Sequence, residues 1–579
     1  MTRVGLLLLW MLATALPIAG QASTRRSPLP DVFLITIDTL RADHVRCYGY
    51  EKIETPAIDS LAKDGIRFSH AFTPSPITNT SHTTILTGLM PSVHGVTDFA
   101  IPLAAEHPTW AELLSAQGYH TAAFIGAVIL DSKALVPGLD RGFDFYDNFP
   151  EQPKTKSRWG RVERRGMDVV QRAKAWLGAH PRGPHFVWVH LYDPHDPYEP
   201  PPPYSSTYKD RLYDGEIAYA DSALGNFLTY LKSHNWYRNA VIVVVGDHGE
   251  GLGEHREETH GLFLYDSTIH VPLIFKLPDR SSTARVVDAQ VRTTDILPTV
   301  LDLVGFTQKP RLSGESFKAL FTGEASSRIA IGETDYPVRF GWAPLRSVRT
   351  ETFKFIEAPR PEFYDLKADP QELHNNYSDG SADVARSRAL LAELPAKSPM
   401  AAGQVNSGAE GPSTPEASAL PDPKDKIEEQ NLLHSALIAS ENDQSAEARK
   451  ALERVLEMDP KSPVALRQLG ELELEAGDYV KASDHLKSAN QVRPEDAAVA
   501  YHLGQALSKV GDLPGARDAL EASLQSAPGQ IPARILLGNV YLQLKNMDAA
   551  KDQFEAVLLS EPNNADAKGG IAKINAAQK

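Results

Sequence analysis

Residues 241–255 read VIVVVGDHGEGLGEH. Five β-branched residues in a row are too short a run for a typical helix and too apolar for a half-exposed strand. They predict a strand buried on both faces, as in a sheet covered by helices on each side. The run then breaks into a glycine-rich loop carrying Asp247, His248, Glu250, Glu254 and His255. A loop with this many acids cannot be core and needs an ion or solvent.

Outward from this stretch the same pattern repeats. Val32 to Ile37, His185 to Leu191 and Val271 to Phe275 read as buried strands, and Ile58–Asp64, Ser81–Leu89, Trp110–Ala116 and Tyr219–Leu231 as helices, which predicts an α/β sheet flanked by helices. Ligands of open α/β sheets sit beyond the carboxyl ends of the strands. There the chain places Asp38, then YDPHDP with Asp193 and His195, then Asp247 and His248. Carboxylates converging with imidazole suit a divalent metal, and histidine in the set makes zinc or manganese a better match than an all-oxygen shell would, with calcium and magnesium left open.

The segment TNTSHTTILTG, Thr78 to Gly88, sets hydroxyls at a helix start, where unpaired N–H groups and the helix dipole favour an anion. A hydroxyl there could attack an ester. The bland alternative is that Thr80 or Ser81 caps the helix.

At 579 residues the chain is too long for one core, and its 42% hydrophobic and 23% charged content predicts folded domains. The formal charge of −15 argues against a nucleic-acid partner. The basic residues between Lys154 and Lys174, among them Lys156, Arg158, Arg161, Arg164, Arg165 and Arg172, are expected as a solvated helix face. Residues 1–22 read as an export signal, Arg3 followed by an apolar run to Ala19 and small residues at Gly20 and Ala22, which predicts a periplasmic or extracellular protein. The apolar run falls short of the ~20 residues of a membrane span, so no integral span is expected, with an uncleaved anchor as the alternative. Cys47 is the single cysteine, so no intramolecular disulfide forms.

Residues 396–424, rich in Pro, Gly, Ala and Ser, read as a linker. Beyond it, three registers recur every 34 residues: Pro460, Pro494, Pro528 and Pro562; Ala448, Ala482, Ala516 and Ala550; Gly470, Gly504 and Gly538. A small residue at a fixed register lets two helices approach closely, and the proline ends the second helix. Residues 425–579 are therefore expected to form about four tetratricopeptide-like helix pairs and a final helix, an array that binds a peptide or protein partner or serves as a plain spacer.

Taken together, IDTLRADHVRCYGY, TSHTTILTG with PSVHGV, HLYDPHDPY, GDHGEGLGEH, THGLFLYDSTIHVPLIF, TTDILPTVLDLVG and EFYDLKADPQELHN resemble, in order and spacing, the sulfatases of the alkaline phosphatase superfamily. The resemblance implies an alkaline-phosphatase-like sandwich over residues 29–395, followed by the all-α solenoid. It implies that Asp38, Asp247 and His248 hold one divalent metal with the Thr78 oxygen, that His195 contacts the substrate anion or leaving group, and that His260 stands where many sulfatases carry a lysine. His82 falls at the position of the family's arginine, and His94 lies close by; both are candidates for the substrate anion. A second metal on Asp193 or Asp196 with His195 and His260 is a further expectation.

Three departures stand out. Thr78 occupies the place of the cysteine or serine that becomes formylglycine, a conversion closed to threonine. Thr39 replaces the family's second aspartate, and GAVILD from Gly126 lacks the lysine and histidine that bind sulfate. The expected activity is hydrolysis of sulfate esters, or of related phosphate esters, through Thr78. A phosphodiester or phosphonate hydrolase, or an envelope phosphoryl transferase, is the first alternative, and a non-catalytic scaffold acting through the repeats is the second.

Overall fold

The side chains of strand β1 (Asp31–Ile37) alternate between two cores: Val32 and Leu34 pack on one face of the sheet, Phe33, Ile35 and Ile37 on the other. This period of two, with apolar residues at both phases, is what makes a strand central in a sheet covered on both sides. The computed structural model describes residues 29–133, 135–150, 159–278, 284–324, 326–395 and 420–577. The expected export signal at 1–22, most of the 396–424 linker, and Lys154, Lys156 and Arg158 lie outside the described residues.

The remaining strands of this sheet are β2 (Ile66–Phe72), β3 (His120–Phe124), β4 (Phe145–Asp147), β5 (His185–Leu191), β6 (Ala240–Gly246), β7 (His270–Lys276), β8 (Arg285–Val287) and β9 (Val291–Arg292). Their order is β4-β3-β5-β1-β6-β7-β2-β8, with β9 also paired to β2. β1 runs parallel to β5 and β6, whereas β7 is antiparallel to both β6 and β2. The sheet is mixed and flanked by helices, as expected. The helices Pro56–Asp64, Gly166–Ala179 and Leu212–Ser233 cover one face, and Thr78–Thr87, Trp110–Ser115 and Ile296–Leu303 the other. The C-terminal ends of β1, β2, β5 and β6 consequently share one edge.

A second, antiparallel sheet of β10 (Ala330–Thr334), β11 (Leu345–Arg349), β12 (Phe353–Glu357) and β13 (Glu362–Asp365) adjoins this edge. It is pinned by Lys354, fully buried, whose Nζ donates to Leu264 O at 2.9 Å and pairs with Asp266 at 2.6 Å and Glu372 at 2.6 Å.

Within the basic stretch Arg172 is half exposed, as expected, whereas Arg164 and Arg165 depart from a solvated role. Arg164 is buried and donates to the carbonyls of Ile125, Asp147 and Asn148, and Arg165 pairs with Glu216 at 3.3 Å, so both brace the chain around β4 and β5. Their guanidinium groups find carbonyls and a carboxylate in geometry that a charge count cannot reveal.

From Leu420 onward the chain is packed. Pro421 O accepts from Ala343 N at 2.9 Å, and Asp422 accepts from Arg360 N at 3.0 Å. Four helix pairs follow, Ile427–Glu441 with Ser445–Met458, Pro463–Ala476 with Tyr479–Val492, Ala497–Val510 with Leu513–Ser526, and Ile531–Gln543 with Met547–Ser560, then a last helix Ala565–Ala577. The 34-residue registers have a direct cause. The recurring alanines are fully buried, and a Cβ on Gly470 or Gly504 would come within 2.5 Å of Leu486 or Leu520 on the paired helix. The array is seated on the first domain: Ile427 is buried with Phe72, Trp342 and Ile356, and Phe340 reaches back against Leu433 and Leu452. Among the described residues, no helix is long and apolar enough to cross a membrane.

Candidate active site

The loop after β6 passes so close to neighbouring backbone that only glycine fits at two places. A Cβ on Gly249 would lie 2.0 Å from Ser267 O, and one on Gly251 2.3 Å from Glu257 O. These approaches fold the loop back over the strand ends and bury Asp247, His248 and Glu250.

Asp247 Oδ1 accepts from the backbone N–H groups of His248 at 2.8 Å and of Thr39 at 3.1 Å. Thr39 holds φ at +50°, with Tyr213 donating its hydroxyl to Thr39 O at 2.6 Å. On His248, Nδ1–H donates to Gly249 O at 2.9 Å, so the neutral ring turns a bare Nε2 lone pair inward. That nitrogen lies 3.1 Å from Thr78 Oγ1, 3.4 Å from Asp247 Oδ2 and 3.8 Å from Asp38 Oδ1. Among the described residues, Asp38 Oδ1 and Asp247 Oδ2 have no hydrogen-bond partner although both are buried. Burial pushes both carboxyls well above the ordinary carboxylate range, reinforced at Asp38 by Glu250 and at Asp247 by Asp38. Two orphaned buried carboxylate oxygens facing an unprotonated imidazole nitrogen form a donor set suited to a divalent cation. Among the described residues, this is the cluster whose ligand atoms all lie within 4.8 Å of one another.

Thr78 opens the helix Thr78–Thr87, all of whose residues are buried. Ile77 stands at the N-cap with no side-chain cap, so the capping role considered for Thr80 or Ser81 is not seen; Ser81 Oγ instead donates to Asp247 O at 2.6 Å. The helix therefore begins at Thr78 itself.

His82 and His94 do not meet the expectation of anion ligands. His82 is fully buried, donating Nδ1–H to Thr78 O at 2.7 Å, with Nε2 2.9 Å from Thr36 Oγ1, which in turn accepts from Trp188 Nε1 at 2.9 Å. This chain fixes the Thr78 backbone from behind. His94 accepts from Val96 N at 3.0 Å and contacts Thr84 Oγ1 at 3.1 Å, and burial holds its pKa at about 3. Both rings are spent on the scaffold of the helix, and neither lines the cleft.

His195 and His260 do line it, together with Thr78, in a cavity of about 370 Å³. His195 donates Nδ1–H to Asp196 O at 2.5 Å, and its ring stands edge-on to His260 with centroids 5.1 Å apart. Burial holds both at about 3, with each feeling a further imidazole, His260 for His195 and His434 for His260. His260 Nδ1 lies 3.0 Å from Glu250 Oε1, whose pKa burial raises to about 8. At neutral pH this pair therefore shares a proton held by Glu250, leaving Nε2–H as the donor of His260.

The second ion site expected from Asp193 or Asp196 with His195 and His260 does not assemble among the described residues. Asp193 accepts from Gly166 N at 2.9 and 3.1 Å, capping the helix behind the site, and Asp196 is engaged by His434 at 2.7 Å. The GAVILD segment does reach the cleft, where Ala127, Val128 and Ile129 form an apolar wall.

Three participants escaped the sequence reading. His190, fully buried in β5, accepts from Gly126 N at 3.2 Å and donates Nε2–H to Asp38 Oδ2 at 3.1 Å, orienting that carboxylate. A histidine inside the apolar run HFVWVHL was the available signal. Glu250 stood in the quoted loop without an assigned role. His434 lies in the repeats, and nothing in its register marks it.

Residues 30–306 match the family model described as Sulfatase, residues 253–395 that described as N-sulphoglucosamine sulphohydrolase, C-terminal, and residues 439–574, in overlapping segments, that of the tetratricopeptide repeat. An arylsulfatase of Clostridium perfringens is 24% identical over 436 residues, covering 60% of this chain and 90% of that protein. An ulvan-active sulfatase of Formosa agariphila is 26% identical over 398 residues, with coverage of 60% and 76%. The phosphonate monoester hydrolase of Agrobacterium radiobacter superposes with a TM-score of 0.53 at 23% identity over 63% of this chain and 94% of that one. A structure solved with its substrate D-glucosamine-2-N,6-O-disulfate gives 0.54 at 20% identity, with coverage of 66% and 100%. At these identities the superpositions establish the fold.

Proposed function

Residues 30–395 of this chain belong to the sulfatase family, and on that footing we propose that the chain hydrolyses sulfate esters, or related phosphate esters, with Thr78 as the nucleophile. The observation that carries this reading is the placement of Thr78 Oγ1 against His248 Nε2, with the free oxygens of Asp38 and Asp247 beside it.

Asp38, Asp247, His248 and Thr78 would hold one divalent cation, which supplies Lewis acidity toward the hydroxyl and the ester oxygens. The protein's own groups do the rest. First-turn N–H groups of the Thr78–Thr87 helix favour the anionic ester at its N-terminus. His82 and its chain to Trp188 hold the Thr78 backbone, so that Oγ1 faces the reacting sulfur or phosphorus. Thr78 gives up its hydroxyl proton to solvent as Oγ1 attacks, and the covalent threonine ester forms while the bond from sulfur or phosphorus to the leaving oxygen breaks. The departing oxygen takes a proton from the Glu250–His260 pair, with His195 beside it. Water then attacks the threonine ester, the bond from sulfur or phosphorus to Oγ1 breaks, Oγ1 regains a proton as the hydroxyl, and the remaining proton returns to the Glu250–His260 pair as the inorganic ion leaves.

Thr78 in place of a formylglycine precursor, and an apolar wall of Ala127, Val128 and Ile129, favour a phosphorus ester as the second reading. Comparing an aryl sulfate, an aryl phosphate monoester and an aryl phosphodiester, with several divalent metals and with Thr78→Ala, decides between them. Turnover surviving Thr78→Ala removes the proposed nucleophile. We further propose export to the periplasm or cell exterior, on the strength of the charged and apolar residues 1–22; finding the protein in the cytoplasmic fraction with residue 1 intact would overturn it.

A further inference from the structure

The cleft that holds Thr78 is closed on one side by the repeat array. Its far wall is built by Leu433, Leu437 and Ile438 of the first repeat helix and Val464 of the first helix of the second pair, facing Phe99 and Phe340 of the hydrolase domain. Leu437 is 45% exposed, a large apolar side chain left uncovered on the cleft side. In the same helix His434 donates Nε2–H to Asp196 Oδ2 at 2.7 Å, and the Asp196 carbonyl is the acceptor that fixes His195. Asn431, one turn earlier, donates to Arg256 O at 3.1 Å on the loop that follows β6.

Resting on the hydrolase reading above, we propose that the first repeat completes the active site: Leu437 and its neighbours receive the apolar body of the ester's leaving group, and His434 is a positioning residue for His195. The chemistry of the wall identifies the ligand. The aliphatic side chains of the array bury a flat apolar group well, and Gln430, Arg467 and Gln468 beside them can meet polar substituents at its edge. The ester end is set by Thr78 and the first turn of its helix, so the organic end must extend toward the repeats. An aryl ester therefore fits the cleft along its length, and the array acts as a fixed roof of the site in addition to any partner it binds.

Binding is measured on the full chain carrying Thr78→Ala, so that turnover is not needed, by calorimetry with 4-methylumbelliferyl sulfate and 4-methylumbelliferyl phosphate. Adding Leu437→Trp, which fills the wall, is expected to raise Kd about tenfold or more, while Leu559→Trp, far along the array and 87% exposed, leaves it unchanged. In the chain with Thr78 intact, His434→Ala is expected to lower kcat about tenfold and His434→Gln, whose amide can still donate to Asp196, to restore most of it. Equal binding with and without Leu437→Trp, absence of aryl ester binding, or His434→Gln as impaired as His434→Ala would overturn the proposal. Failure of the hydrolase reading looks different: no ester is turned over, yet the aryl ester binds and Leu437→Trp weakens it.

Discussion

Thr78 Oγ1 lies 3.1 Å from His248 Nε2, across 170 residues of sequence, and His248 spends its other nitrogen on Gly249 O. The ring is thereby locked with its lone pair toward the hydroxyl. A threonine whose only task was to start a helix would not need a histidine in that tautomer, nor two carboxylates with unpartnered oxygens behind it.

Thr78→Ala is expected to lower kcat at least about 10³-fold, because no other hydroxyl stands at the first position of the helix, while Thr78→Ser retains a substantial part. Steady-state kinetics on the preferred ester, with burst-phase detection of the covalent ester in the threonine and serine forms, check this. Serine as inactive as alanine would show that the hydroxyl is not the attacking group.

Metal uptake should release protons. Burial raises Asp38 and Asp247 well above the usual carboxylate range in the metal-free protein, so a cation must displace what they hold. Because a raised folded pKa favours folding at low pH and loses that contribution as pH rises through it, the metal-free protein is penalised toward higher pH and the metal removes the penalty. The melting-temperature increase given by the metal is thus expected to grow between pH 5 and 8, and the calorimetric enthalpy of binding to depend on the buffer's ionisation enthalpy. Independence from the buffer would mean that the carboxylates are already ionised.

His190→Ala is expected to weaken metal binding about 10- to 100-fold, since Asp38 loses the donor that orients it at 3.1 Å, with kcat largely recovered at saturating metal. Metal titrations monitored by activity and by melting temperature separate the two effects. A kcat loss that saturating metal does not restore would place His190 in the chemistry instead.

The sheet was legible because strands such as β1 and β6 are apolar at both phases, and the convergence of Asp38, Asp247 and His248 followed from their place just after such strands. The repeat registers were legible because a helix pair needs a small residue at the same crossing each time. His82 and His94 were misplaced because a motif position does not say whether a ring faces the cleft or the scaffold; that depends on whether Thr36, Thr84 and backbone groups are near enough to occupy its nitrogens. Asp193 was drawn away in the same manner by the N–H of Gly166. The contact of His434 with Asp196 spans 238 positions and two domains, and no periodicity encodes how an array docks.

Lys354→Met should destabilise the first domain by about 3–5 kcal/mol, because it leaves the buried Glu372 without its cation and the partly exposed Asp266 with Arg349 alone. Desolvation alone would raise the Asp266 pKa, but Arg349 and Lys354 outweigh it and hold the group below the usual carboxylate range. The stability this pairing gives is present above the ordinary aspartate pKa of about 4 and is lost as pH falls through the depressed value. Denaturant unfolding at pH 7 and pH 3 is expected to show a large difference between the parent and Lys354→Met at pH 7 and a smaller one at pH 3. A difference that stays constant with pH would mean that lost packing, not the ion pair, is responsible.

Gly504→Ala tests the repeat geometry where helix propensity and packing oppose each other. Alanine gains about 1 kcal/mol over glycine in a helix interior, so on propensity alone the array would be stabilised. Its Cβ, however, would stand 2.5 Å from Leu520 Cγ and 2.8 Å from Leu520 Cδ2, inside a fully buried contact, and the paired helix must move to admit it. Overpacking of this kind costs about 1–3 kcal/mol, so the net effect is expected to be destabilising. Because each repeat contacts mainly its neighbours, the loss should be confined to the third pair and the helices next to it. Hydrogen exchange is expected to quicken across Ala497–Val510 and Leu513–Ser526 while the helix Ile427–Glu441 keeps its protection, and kcat should hold. Exchange that quickened as far as Ile427–Glu441, with a fall in kcat, would show the array melting as one unit together with the cleft it covers.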